Sequence, residues 1–206
     1  MGFEEMEILF QPDSSANLLP HHGVVHYYGT VLAGCDAWDY FEALMVTIPW
    51  RHDELVMFGK PVVTARKVAW FGDSDFSYTY SGTTKRALPW TRELSALKTL
   101  AEEKTGAAFN SCLLNLYHHG GEGMGWHSDD EKELVRDASI ASMSLGAERK
   151  FDFRHKETKE TVSVTLEHGS LLAMKGETQR YWQHRLPPSK KVTEPRINLT
   201  FRTRVV

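Results

Sequence analysis

The sequence predicts an α+β, mainly β fold in which helices support a β-sandwich or jelly roll. Two stretches carry apolar residues at helical spacing, and most of the remaining chain alternates apolar and polar residues as strands do. No repeat, low-complexity tract or linker interrupts the chain, and residues 1–206 are expected to form one domain. A chain of this size buries about 70% of its unfolded surface.

The first helix is expected over 36–48, with Asp36 as cap and Trp38, Phe41, Leu44, Met45 and Ile48 recurring on one side. Strands are expected at 66–71 and 76–80. A second helix follows over 91–105, with Leu94, Leu97, Leu100 and Ala101 on one face and Gly106 as its stop. Further strands are expected at 111–118, 139–145, 150–154, 161–166, 170–174 and 196–204. In 111–118, Cys112, Leu114 and Leu116 take the core face. Asn115 and Tyr117 then point the other way, into the cavity that facing strands of such a fold enclose.

Apolar and charged fractions are ordinary for a soluble globular protein, and no apolar run is long enough to span a bilayer. The first residues, Gly2 to Glu7, are acidic and lack the basic-then-apolar order of a secretion signal. Cys35 and Cys112 are expected to be free thiols, which fits a reducing compartment, cytoplasm or nucleus. The net charge of −3 gives no global attraction to nucleic acid. From Arg180 to Arg204, however, seven Lys or Arg face the single acid Glu194. Such a local basic surface suits a polyanion, unless several of these cations serve a small internal acid.

The last strand reads Arg196-x-Asn198-x-Thr200-x-Arg202, with Ile197, Leu199 and Phe201 between. Strand periodicity puts the polar set on one wall. Two guanidiniums and an amide there suit a small dicarboxylate, because Arg forks onto carboxylate oxygens. Upstream, His127-Ser-Asp129 follows a run of glycines, Gly120, Gly121, Gly123 and Gly125. Two residues apart on an extended segment, His127 and Asp129 converge. A second imidazole would complete the facial triad of a non-haem Fe(II) oxygenase. His21, His22, His118, His119, His155 and His168 offer alternative ligands, and zinc is an alternative metal. The neighbouring anion wall favours iron with an acidic co-substrate.

Taken together, Asn115-x-Tyr117, His127-x-Asp129, His184 and Arg196-x-Asn198-x-Thr200-x-Arg202 occur in an order that resembles the AlkB family of Fe(II)/2-oxoglutarate-dependent dioxygenases, from about Phe58 to Arg202. The resemblance implies a double-stranded β-helix (jelly-roll) core and iron held by His127, Asp129 and His184. It implies 2-oxoglutarate held by Asn115, Tyr117, Arg196, Asn198 and Arg202, with Arg196 on the distal carboxylate and O2 as co-substrate.

Within the family the chain looks most like the branch that repairs duplex DNA. The segment from about 50 to 90 resembles its nucleotide-recognition region: Val56-Met57-Phe58-Gly59-Lys60 a wedge hairpin, and Arg66 with Tyr78, Tyr80, Ser81 and Gly82 a base-reading surface. A stacked base must leave the duplex before its edge is reachable, and an apolar wedge such as Phe58 fills the gap. Tyr80 and His127 would sandwich the base, while Tyr78, Asp130 and Glu131 would read its polar edge. The chain departs from that branch at Ser128, where a basic residue often lies, and at Lys156–Thr161, a short loop of mixed charge.

The expected activity is oxidative demethylation of 1-methyladenine and 3-methylcytosine in DNA, by a monomer that needs no membrane. RNA demethylation, oxidation of a protein or small molecule, and a non-catalytic nucleic-acid-binding module are the competing readings.

Overall fold

A computed structural model describes residues 13–57, 60–73, 76–80 and 83–205. The elements are β1 (Val24–Thr30), α1 (Gly34–Thr47), β2 (Arg51–Met57), β3 (Lys60–Gly72), β4 (Ser77–Tyr80), β5 (Thr83–Arg86) and α2 (Arg92–Thr105). There follow β6 (Ser111–Tyr117), β7 (Met124–His127), β8 (Ile140–Gly146), β9 (Arg149–His155), β10 (Thr161–Leu166) and β11 (Ser170–Lys175). The short α3 (Thr178–Tyr181), β12 (Trp182–Leu186) and β13 (Arg196–Arg202) complete the chain.

A seven-stranded sheet runs β1-β11-β8-β13-β6-β3-β2, and a four-stranded sheet runs β10-β9-β12-β7. Both are antiparallel. The small β4-β5 hairpin stands apart from them. This is the expected mainly β, jelly-roll arrangement.

The large sheet is covered on both faces. On one face Phe41 and Leu44 of α1 and Leu94, Leu97 and Ala101 of α2 pack with Leu114, Met143, Leu145, Ile197, Leu199 and Phe201. Burying each large side chain of this set is worth about 1.5–3 kcal/mol. On the other face a second cluster joins the two sheets: Tyr117, Leu172 and Met174 from the large one, Phe151, Phe153, Trp182 and Leu186 from the small one. In β13 the odd-numbered residues therefore serve the helices, and the even-numbered ones turn toward the space between the sheets.

Both helices lie within two residues of their expected spans. In α2 the Thr91 hydroxyl accepts from the Leu94 N–H at 3.2 Å, and Gly106 ends the helix at φ 70°, a left-handed conformation that glycine adopts without strain. Asp36, in contrast, does not cap α1. The helix begins two residues earlier, its N-cap is Ala33, and Asp36 lies in the first turn, where its charge faces the positive helix end. The strands β1, β5, β7 and β12 and the helix α3 lie outside the expected elements, β2 is expected only through the hairpin at 56–60, and five strands precede α2. Cys35 is exposed and Cys112 buried, and both are free. No helix among the described residues is long and apolar enough to cross a membrane.

Candidate metal centre and anion pocket

β7 and β12 are neighbours in the small sheet, and their register sets His127 directly opposite His184. The two rings meet edge-on with centroids 4.2 Å apart. Asp129, just past the end of β7, turns Oδ1 toward both, 3.7 Å from His127 Nε2 and 3.9 Å from His184 Nε2. The three donor atoms lie within 4.8 Å of one another. That is two imidazoles and a carboxylate aimed at one point, a set that can hold a divalent iron.

The surroundings orient each donor. His127 Nδ1 is 2.9 Å from the Gly125 carbonyl, which fixes the proton there and leaves the Nε2 lone pair free. Phe151 stacks on His184 at 5.5 Å. Burial pushes the His184 imidazolium pKa down to about 3, so the ring stays neutral, the form that binds metal. The Asp129 backbone N–H donates to Gln179 Oε1 at 2.8 Å. Burial opposes ionisation of Asp129, but the Arg202 guanidinium beside it outweighs this and holds the carboxyl below the usual range. Ser128, at the position where the resembling branch often has a basic residue, gives its hydroxyl to the Trp182 carbonyl at 3.0 Å and so ties the end of β7 to β12.

The anion wall stands on the large sheet. Arg196 lies opposite Tyr117 and Asn198 opposite Asn115 in the β13–β6 register. All four are buried. Arg196 Nη2 donates to Ser144 Oγ at 2.9 Å and to Asn198 Oδ1 at 2.7 Å, and the Ser142 hydroxyl donates to the same Asn198 oxygen at 3.0 Å. Asn198 Nδ2 then donates to Thr200 Oγ1 at 2.9 Å. No carboxylate of the described residues pairs with Arg196, and its buried Nε has no hydrogen-bond partner. Burial pulls its pKa down to about 10. An unpaired buried cation of this kind is costly and calls for an anion. The residues present therefore fit a small dicarboxylate such as 2-oxoglutarate. Arg202 has a second buried, unpartnered Nε on the same wall.

The predicted substrate residues are placed unevenly. Arg66 is turned toward the anion wall: its Nε donates to Asn115 Oδ1 at 3.0 Å and Nη2 to Asp53 Oδ2 at 3.4 Å. Asp130 and Glu131 are exposed beside the candidate metal ligands. They line a cleft of about 580 Å³ that also reaches Asp129, Arg180 and Arg202. Tyr78 and Tyr80 belong to β4, which pairs with β5. The β2–β3 pairing runs to Met57 opposite Lys60. Phe58 and Ser81 lie outside the described residues.

Four contributors escaped the sequence reading. Ser142 and Ser144 alternate with Met143 and Leu145 on β8, a period-two pattern that could have marked them. Gln179 sits on α3, which has no sequence signal of its own. Arg149 is buried and donates to the carbonyls of Gly120, Glu122 and Pro187 at 3.2, 2.8 and 2.9 Å, holding the glycine-rich loop. Of the alternative ligands, His118 is engaged with Glu122 at 3.0 Å.

The sequence profile of the 2OG-Fe(II) oxygenase superfamily matches residues 24–202. The chain is 43% identical over 173 residues to Alpha-ketoglutarate-dependent dioxygenase alkB homolog 3 of Bos taurus, an alignment covering 79% of this chain and 60% of that protein. It is 40% identical over 185 residues to DNA oxidative demethylase ALKBH2 of Homo sapiens, covering 84% of this chain and 71% of the relative. A solved structure described as "The structure of OsALKBH1" superimposes with a TM-score of 0.61 at 18% identity, covering 90% of this chain and 99% of that one, a likeness of fold. The chain spans about 60% of the length of the homolog 3 proteins from cattle and human.

Proposed function

The chain belongs to the 2OG-Fe(II) oxygenase superfamily and, within it, to the AlkB family, and from that premise we propose that it is an oxidative demethylase of N-alkylated bases in DNA. The observation that carries the reading is the pairing of a His127–Asp129–His184 cluster with an unpaired buried Arg196 on the facing sheet. The family uses Fe(II), 2-oxoglutarate and O2, and the relatives of matching sequence include one named as a DNA oxidative demethylase.

In this reading His127, Asp129 and His184 hold iron. Arg196 takes the distal carboxylate of 2-oxoglutarate, and Asn115, Tyr117 and Asn198 shape the wall beside it. Arg202 occupies Asp129 Oδ2, which leaves Oδ1 for the metal, and closes the pocket at the iron end. Iron and 2-oxoglutarate, when bound, would supply the oxidising chemistry, with O2 as oxidant, CO2 and succinate as by-products, and an N-methyl group hydroxylated. The resulting N-hydroxymethyl group loses formaldehyde and restores the base.

The substrates proposed are 1-methyladenine and 3-methylcytosine, both cationic. Asp130 and Glu131, at the rim of the cleft, attract the damaged base and lose that attraction once the methyl group and its charge are gone. Phe58 is the wedge for duplex DNA, and Tyr80 with His127 the clamp on the extruded base, with Arg66, Tyr78 and Ser81 alongside. The enzyme acts as a monomer, as a single domain, where DNA is kept: a bacterial cytoplasm or a nucleus.

The test is formaldehyde release from duplex DNA carrying 1-methyladenine, with Fe(II), ascorbate and 2-oxoglutarate, beside the matching single-stranded DNA and RNA. Release that needs every cofactor and is greatest on duplex supports the reading. Release from RNA alone moves the substrate. Consumption of 2-oxoglutarate with no release from any nucleic acid removes the demethylase assignment and keeps the iron chemistry.

A further inference from the structure

A second cluster of histidines lies away from the proposed iron site. His21 and His22 precede β1, and His155 ends β9. His21 Nδ1 is 3.2 Å from His22 Nδ1, and His22 Nδ1 is 3.3 Å from His155 Nε2. All three donor nitrogens lie within 4.8 Å of one another. Around a tetrahedral zinc with bonds of about 2.0–2.1 Å, neighbouring nitrogens sit roughly 3.3 Å apart. Two of the three spacings, 3.2 and 3.3 Å, match, and the third lies within 4.8 Å.

Three further observations point the same way. His21 Nε2 is 2.9 Å from Glu160 Oε2, the arrangement in which a carboxylate takes the far N–H of a ligating imidazole and turns its other nitrogen inward. That leaves two Nδ1 atoms facing each other at 3.2 Å, which needs a proton or a cation between them. His22 holds φ at 49°, a left-handed backbone that costs a non-glycine residue about 1–3 kcal/mol and persists where the surroundings impose it. The rings are also packed: Tyr181 lies against His22 at 4.8 Å and parallel to His155 at 6.2 Å, and Trp182 meets His155 at 5.1 Å.

We propose that His21, His22 and His155, with Glu160 behind His21, form a second metal site for a zinc-class divalent ion, one that clips the segment before β1 onto the β9–β10 hairpin. One contact opposes it. His155 Nδ1 accepts from the Thr158 and Glu157 N–H groups at 3.1 and 3.3 Å. Coordination at Nε2 moves the ring proton to Nδ1 and loosens both bonds, so affinity is moderate rather than extreme. With three imidazoles the fourth position falls to water.

The site is tested with Zn2+ alone on the full chain carrying His127→Ala and Asp129→Asn, which removes two of the three iron ligands. One zinc per chain, measured by equilibrium dialysis with metal analysis, is expected, together with a rise in Tm. Adding Glu160→Gln should weaken binding by about 10–100-fold, as loss of an orienting carboxylate does. Adding His22→Asn, which tolerates a positive φ and removes the imidazole, should weaken it further. Circular dichroism confirms that each variant is folded. No zinc bound by the parent variant, or equal affinity with and without His22, overturns the proposal.

Discussion

Arg202 Nη2 donates to Asp129 Oδ2 at 2.8 Å, while Oδ1 of the same carboxylate faces His127 and His184. The last residue of β13 thus orients a donor that lies just past the end of β7, across the gap between the two sheets. Arg202 also reaches Glu131 at 3.4 Å.

Removing that guanidinium should therefore be felt at the metal before it is felt at the substrate. Arg202→Met is expected to raise the dissociation constant for Co2+, used as an oxygen-stable stand-in for Fe(II), by about 10–100-fold. A titration of apo-protein followed by visible absorption measures it. An unchanged affinity would show that Asp129 is held by other groups.

Arg196 offers a test in which binding and stability move oppositely. With the buried cation proposed to meet the distal carboxylate, Arg196→Met should cost 2-oxoglutarate affinity about 100-fold. The same change removes an unpaired buried charge and should raise Tm in the absence of co-substrate. Calorimetric titration with scanning calorimetry distinguishes the two effects. A fall in both would mean that Arg196 is chiefly structural.

Acid should undermine the small sheet through Asp152. This buried carboxylate accepts from Ser163 Oγ at 2.7 Å and Arg185 Nε at 2.8 Å. Lys150 Nζ lies 3.3 Å away. Burial raises its pKa, but these three partners lower it further, to a net position below the ordinary 3.8. A depressed folded-state pKa stabilises the protein at pH above the unfolded value. That contribution disappears as pH falls from about 4 through the folded pKa. Asp152→Asn should lower Tm at neutral pH and flatten its decline in acid, as read by thermal melts from pH 7 to pH 2.5.

The wedge assigned to Phe58 predicts a selective loss. Phe58→Ala should reduce turnover on duplex DNA by about tenfold more than on the single strand, because a strand already unstacked needs no filler. Equal losses on both would assign Phe58 another role.

The sequence exposed the anion wall more fully than the strands that carry the candidate metal ligands. Arg196-Ile-Asn-Leu-Thr-Phe-Arg202 alternates without interruption, so periodicity alone put its two faces in their places. Met124–His127 is only four residues long and follows a glycine-rich turn, and Trp182–Leu186 reads W-Q-H-R-L, with two polar residues beside its histidine. Neither holds enough pattern for a strand to be read, and only the family order of motifs singled out His184. Asp36 looked like a cap because its residue type suits one, yet the chain turns helical at Gly34. Residue type alone does not place a helix start to within two residues.

The opposition of His127 and His184 across β7 and β12 has a consequence for how the protein is made. Side chains alternate along a strand, so a slip of one residue in that pairing would turn His184 to the other face and leave two ligands of three. A chain that closes its small sheet wrongly would then take up little iron, whereas a correctly paired one is further stabilised by binding it. Under the proposed reading, iron binding would in that way favour the correct strand alignment.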